Sequence, residues 1–377
     1  MYLSLRDITF AKGRFALIGG VVALITMLLV LLTGLTSGLS QQNTSALERL
    51  DASRVIFSAP AEADDDPSFT ESGISASELD DWEEALGGGS VERLGVSQTR
   101  AETATGDTQE SPSQTATSVA VFSVEADTAL APRLNVIEGQ SKPGAGEVIL
   151  SSVIAEDLGM AQGDTLRLSS SELTVAGVVE DEFYSHVPVV WTSIEDFAGI
   201  AHLGEDTVAT ALAVPASARD LSTEALATVN EQAGTVSTDT RGAFNALPAY
   251  QSERGSLLMM QGFLYGISAL VVVSFLTVWT IQRTRDLAVL RALGSSRSYL
   301  VRDAMTQAAV VVSFGALTGG AAAWAGGLLI GNAVPFELTP LTVAAPVLGV
   351  FGLGVAGATL TTRRVSRVDP LFALGGN

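Results

Sequence analysis

Four long apolar runs limit this chain more than any other feature. They cover residues 15–39, 257–282, 304–331 and 341–360, and the first contains no charged residue. Each has about 20 residues or more, enough at 1.5 Å per residue to cross the roughly 30 Å of bilayer hydrocarbon. The first run follows Arg6, Lys12 and Arg14, as a signal peptide would, but it is much longer than the apolar core of a signal, and three more runs follow it. It reads as a retained membrane span.

Charge orients the spans. The loop between the first two carries 36 of the 41 acidic residues and ten of the 21 basic ones, a net of −26. Basic residues elsewhere gather at the N-terminus, at 283–302 and at 363–367. In a four-span chain these three clusters share one side, which the positive-inside tendency places in the cytoplasm. The expected organisation is therefore a cytoplasmic segment (1–14), a first span (15–39) and a large extracytoplasmic domain (40–255). A second span (256–282) leads to a cytoplasmic segment (283–300), a third span (301–331), a short outer loop (332–340), a fourth span (341–361) and a cytoplasmic tail (362–377). Both termini are cytoplasmic in this reading, in a chain that crosses the membrane four times. The acidity describes a solvated outer face and speaks against a nucleic-acid partner.

Within the outer domain, 61–118 is acidic, poor in aliphatic residues and rich in Ser, Thr and Gly, a composition expected to leave part of it without a packed core. Its Asp64, Asp65 and Asp66 lack the spaced oxygens and glycine turn of a calcium loop. From 118 onward, "SVAVFSV", "GEVILS", "DTLRLSS", "ELTVAGVVE" and "VPVVWTS" read as strands. "SVIAEDLGMAQGD" reads as a helix closed by Gly159 before a turn at Gly163 and Asp164, and two further helices are expected in "SIEDFAGIAHLG" and "LSTEALATVNEQAG". The fold class is membrane α-helical with four transmembrane helices, plus an extracytoplasmic α+β domain.

Small residues mark the spans. Gly315, Gly319, Ala323, Gly327 and Gly331 recur every four residues in the third, a stripe for close helix packing. Gly19, Ala23, Met27, Gly34 and Gly38 share a face of the first, and Met259, Gly262, Gly266 and Ala269 a face of the second. Met27 and Met259 are thus expected on faces that small residues keep open, turned towards protein or a cavity rather than lipid.

No G-x-x-x-x-G-K-[ST] cradle, H-E-x-x-H or G-x-S-x-G occurs, and there is no cysteine, so neither ATP hydrolysis nor thiolate chemistry belongs to this chain. No catalytic residue, metal ligand or resident cofactor is expected; the chain is not read as an enzyme. The stretch "TRDLAVLRALGSSRSYL" has another use. Leu287, Leu290 and Leu293 line one face of a short amphipathic helix, Arg291 another, Arg283, Arg285 and Asp286 stand at the interface, and Gly294 ends it. Such a helix joined tightly to two spans either docks a soluble partner or rests its leucines among lipid headgroups.

"QRTRDLAVLRALGSSRSYLVRDAM" resembles the cytoplasmic turn of the MacB/FtsX-type ABC transporter permeases. "EVILSSVIAEDLGMAQGDTLRLSSSELTVAGVVED" resembles their extracytoplasmic core and "TTRRVSRVDPLFALGG" their C-terminus. The opening 55 or so residues and "EFYSHVPVVWTS" are most similar to the haem-exporting permeases of Gram-positive bacteria, with DevC-like exporters as a related branch. That resemblance implies a homodimer in lipid, each copy docked on one subunit of a separate ABC-type ATPase dimer through 283–294, and haem as transported substrate. It also implies that the porphyrin enters sideways from the outer leaflet and that one chain holds half of the sites. Haem needs an apolar slot and axial ligands; the candidates are Met27, Met259 and Met260 in the spans and Tyr184 and His186 in the outer domain. A MacB-like exporter of a peptide, lipid or antibiotic, and an FtsX-like signaller to a cell-wall hydrolase, are the alternatives the same layout serves.

Overall fold

The computed structural model describes residues 12–60, 66–104, 116–125, 130, 132–201, 203–204, 206–218, 221–282, 296–330 and 334–365. In chain order it runs α1 (Lys12–Arg49), β1 (Ala52–Ser58), β2 (Ile74–Ser75), α2 (Ala76–Leu86), β3 (Glu92–Thr103), β4 (Ala116–Val124), β5 (Val136–Gly139) and β6 (Glu147–Ser151). There follow α3 (Ser152–Leu158), β7 (Thr165–Leu168), β8 (Ser171–Val179), β9 (Phe183–Tyr184), β10 (Val187–Ser193), α4 (Ile194–Ala201), β11 (Thr207–Ala209) and β12 (Ala211–Pro215). The chain closes with α5 (Thr223–Ala233), β13 (Thr235–Asp239), a 3₁₀ turn (Gly242–Ala246), α6 (Pro248–Gln282), α7 (Arg297–Ile330) and α8 (Pro340–Val365). Two compact units result, Ser40–Glu253 and the remainder, divided within α1 and α6.

In the membrane unit, α1, α6, α7 and α8 are each long and apolar enough to cross a bilayer. Glycines set how closely they pack. A Cβ on Gly319 of α7 would lie 2.2 Å from the Ala23 carbonyl oxygen of α1, and one on Gly315 2.8 Å from that of Gly19. At Gly315 and Gly319 the stripe expected in the third span is therefore a seam where two helix backbones nearly touch, the close approach that only glycine permits, while its last member, Gly331, lies outside the described residues. On α8, Gly354 receives Val312 of α7, while Gly349 receives the Tyr265 ring and Gly357 the Val273 side chain, both of α6.

The outer unit is built on an 11-stranded mixed sheet in the order β13-β1-β12-β3-β4-β10-β6-β8-β5, with β7 beside β3 and β8, β9 beside β10, and the β10–β4 and β6–β8 pairs parallel; β11 and β2 form a separate two-stranded sheet. β4 shows why its sequence is apolar almost throughout: Ala120, Phe122 and Val124 face one buried cluster and Val119 and Val121 another. Both faces of a central strand are covered, so the polar positions of a half-exposed strand disappear. On the first face lie Ala46, Leu47 and Leu50 from the end of α1, with Tyr250; on the second lie α3 and α4. Helix α3 ends where expected, Gly159 taking the left-handed conformation at φ 62°.

The acidic stretch is folded through its middle. Within 61–118, residues 74–103 form β2, α2 and β3. Ser75 and Glu78 make a reciprocal capping box at the start of α2, and Trp82 is fully buried with its indole N–H donating to Thr235 Oγ1 at 3.0 Å. One large aromatic supplies the burial that scattered aliphatics would otherwise provide. Residues 61–65 and 105–115 lie outside the described residues. Strands β1, β12 and β13, adjacent in the sheet, place residues 52–58 and 235–239 in the same core as 118–215.

Candidate functional site

On α1, the face holding Met27 is more occupied than its small residues promise. The backbone at Ala23 receives Gly319 of α7. A Cβ on Gly34 would meet the Phe336 ring at 2.5 Å, and one on Gly38 the Pro335 carbonyl oxygen at 2.3 Å. The outer loop before α8 thus plugs both notches, held there by Glu337, whose N–H donates to the Gly34 carbonyl at 3.1 Å and whose carboxylate accepts from Ser37 Oγ. Met27 is half-buried beside this packed seam, not on an open wall.

Helix α6 keeps the open face. Met259, Met260 and Phe263 are 64%, 48% and 65% exposed, and among the described residues nothing comes within 4 Å of a Cβ built on Gly255, Gly262 or Gly266. Its opposite side packs inward: Tyr265 against Gly349, Val272 into the helical core, and Gln261 Nε2 donating to Thr36 Oγ1 of α1 at 3.0 Å. The void bordered by Phe15, Val272, Phe275 and Val311 measures only ≈ 10 Å³, room for about one water and not for a porphyrin.

In the outer unit, Tyr184 is a core residue, which corrects its candidacy as an accessible ligand. It is 4% exposed and meets Phe69 and Phe122 edge to face, with centroids 5.8 and 5.3 Å away. Burial pushes its phenol well above the ordinary value, so it stays protonated. His186 lies at the surface in the two-residue turn joining β9 to β10. Ser185 and His186 hold φ 49° and 64°, the left-handed pair of a type I′ hairpin with no glycine to ease it. Three polymer segments meet there. His186 Nε2 lies 2.9 and 3.1 Å from the two Glu253 carboxylate oxygens, Asn43 Nδ2 donates to Glu253 at 3.1 Å, and the His186 N–H donates to the Gln42 carbonyl at 2.9 Å. Nothing periodic marked this cluster; the only trace was a glycine-free turn between two strand-like runs.

Close by, Glu182 is 2% exposed and ion-paired with Arg49 at the end of α1. Burial raises its carboxyl above the ordinary value, against the pull of Arg49 and the Ser45 hydroxyl. Arg283, Arg285, Asp286, Leu287, Leu290, Arg291, Leu293 and Gly294 lie outside the described residues. Among the described residues no group of three or more His, Asp or Glu is placed to hold a metal ion.

Residues 15–231 match the MacB-like periplasmic core domain and residues 258–370 the C-terminal part of FtsX-like permeases. Four spans and an outer α+β domain, matched by these two models over most of their length, place the chain among the ABC transporter permeases of the MacB/FtsX type. Relatives in Staphylococcus haemolyticus and Staphylococcus epidermidis, both named for a hemin transport system permease, HrtB, are 23% and 21% identical, with 100% of this chain and 99% of each relative aligned. An uncharacterized ABC transporter permease of Mycobacterium tuberculosis is 24% identical over the same shares. The crystal structure of the periplasmic region of MacB from Actinobacillus actinomycetemcomitans is similar to 52% of this chain and 93% of that one, at 10% identity and a TM-score of 0.35.

Proposed function

We propose that this chain is the permease subunit of a haem-export pump, working as a homodimer with each copy driven by a separate ATPase subunit docked on 283–294. Both termini are cytoplasmic in this reading, and closure of the ATPases moves the spans mechanically. The observation that carries the cargo assignment is the outward face of α6. It offers two thioethers, Met259 and Met260, as axial ligands beside glycines that let a flat ring approach and a phenyl ring that stacks on it. The whole-length likeness to relatives named for hemin transport supports the same cargo. A ring lying on this face requires a second wall, which the partner copy supplies. Met27, on the neighbouring span, is the third candidate ligand.

The test is a Soret-band titration of haemin into the protein in nanodiscs, beside Met27→Ala and Met259→Ala. Saturable binding at about one haem per subunit or per dimer, with an altered spectrum in either variant, is the expected result. Unsaturable partitioning, identical in all three proteins, would remove haem and leave a permease for another hydrophobic cargo.

A further inference from the structure

The apolar face of the sheet that receives the end of α1 turns polar at its far end. There Gln98, Arg100, Glu102, Ser118, Arg167, Ser169 and Val187 border an open cleft of ≈ 460 Å³. Strand registers explain its floor. Arg100 pairs with Ser118 of β4, and continuing the β3–β7 register by one residue sets Ser169 opposite Arg100 on its other side. Continuing the parallel β4–β10 register sets Val187 beside Ser118. One row across four strands thus reads Ser169, Arg100, Ser118, Val187, with Gln98 two residues along on the same face.

Charge is arranged around Arg100. Glu102, on the same face of the same strand, is the natural partner for that guanidinium, yet it is ion-paired with Arg167, whose other cross-strand neighbour is Glu172. Arg100 is exposed and forms no ion pair among the described residues. Ser169 stands at a turn that fixes its place beside Arg100. It is the first residue of the two-residue β7–β8 turn and holds φ 54°, a conformation that glycine adopts without strain.

We infer that this cleft binds a phosphate group, with Arg100 as its charged donor and Ser118, Ser169 and Gln98 as neutral donors around it. Hydroxyls on both sides of one guanidinium, with an amide along the strand, present donors from several directions. That suits a tetrahedral oxyanion, and the volume leaves space for a headgroup- or sugar-sized remainder. The phosphate comes from a lipid headgroup or from a soluble phosphate ester.

The experiment follows arginine Nε–Hε resonances of the full chain in phosphatidylcholine nanodiscs during titration with inorganic phosphate. Sodium chloride at matched ionic strength is the control, and Arg100→Lys assigns the resonance by its disappearance. The expected result is a saturable shift of the Arg100 resonance that chloride does not reproduce, with Ser118→Ala weakening binding at least about threefold. A shift already complete in nanodiscs containing phosphatidylglycerol identifies the lipid source; the same titration in both membranes identifies the soluble one. A linear response, a chloride response of equal size, or saturation unaltered in a folded Ser118→Ala variant would overturn the assignment.

Discussion

Replacing Gly319 by alanine tests whether α1 and α7 are held at backbone contact. The added methyl would stand 2.2 Å from the Ala23 carbonyl oxygen and 3.0 Å from the Ala23 Cα, neither of which is the free end of a flexible side chain. Reaching ordinary contact means separating the helices locally by about 1 Å, and overpacking of this kind costs about 1–3 kcal/mol. Two other positions on α7 grade the effect. At Gly315 the nearest atoms are at 2.8 Å, one of them the Val22 Cβ, whereas among the described residues nothing lies within 4 Å of a Cβ on Gly326. All three alanines share the helix-propensity gain of up to about 1 kcal/mol, so it cancels in the comparison. Unfolding of the full chain in mixed micelles by sodium dodecyl sulfate, followed by helical circular dichroism, measures the differences. The expected order of stability is Gly326→Ala, then Gly315→Ala, then Gly319→Ala, with about 1–3 kcal/mol between first and last. Equal stabilities within about 0.5 kcal/mol, the usual spread for surface changes, would refute the close-packed seam.

In the outer domain, Trp82→Ala should cost about 3–5 kcal/mol in thermal or urea unfolding, because it empties a fully buried site. Trp82→Phe, which mainly removes the hydrogen bond to Thr235, should cost about 1 kcal/mol beyond the volume lost. Glu182 has its carboxyl raised by burial, so protonation favours the folded state: that contribution is complete below the ordinary carboxylate range and disappears as pH climbs through the raised value. Glu182→Gln should therefore flatten the stability–pH curve there. Arg49→Ala, which strands the buried carboxylate, should cost about 1–3 kcal/mol near neutrality, a range lowered for the one-third exposure of Arg49, and less in acid. Ser185→Gly should stabilise the β9–β10 turn by about 0.5–1 kcal/mol, seen as a raised unfolding midpoint; no gain would mean that the left-handed serine carries no strain.

Local signals in the sequence were legible where structure is local. The Gly159 stop of α3, the stripe on α7 as far as Gly327 and the strand-like runs from 118 onward depend on neighbours within a turn or a strand, and each appears in the structure. At 61–118 composition says only that part lacks a packed core and does not single out the folded part, which rests on the Ser75–Glu78 capping box and the one tryptophan that anchors α2. Gly34 and Gly38 mark a face of α1 turned towards protein or a cavity, but not what fills it: Pro335 and Phe336, from some 300 positions away in the chain. No periodicity within α1 encodes that partner. Met259 is identifiable as a residue on a small-residue face, where among the described residues nothing lies within 4 Å of a Cβ on Gly262 or Gly266. The meeting of Asn43, His186 and Glu253 draws on three distant segments and had no such signature.

Phe336 occupies two depressions at once. Its ring stands where a Cβ on Gly34 or on Gly327 would be, at 2.5 and 2.6 Å. The three positions therefore form one steric unit shared by α1, α7 and the loop between α7 and α8. A larger residue on either helix is tolerated only if the ring shrinks, and a smaller residue at 336 opens two gaps rather than one. Across divergent sequences, change at these sites should arrive in sets, so that the loop's composition follows the helices it wedges apart rather than drifting as exposed connections do.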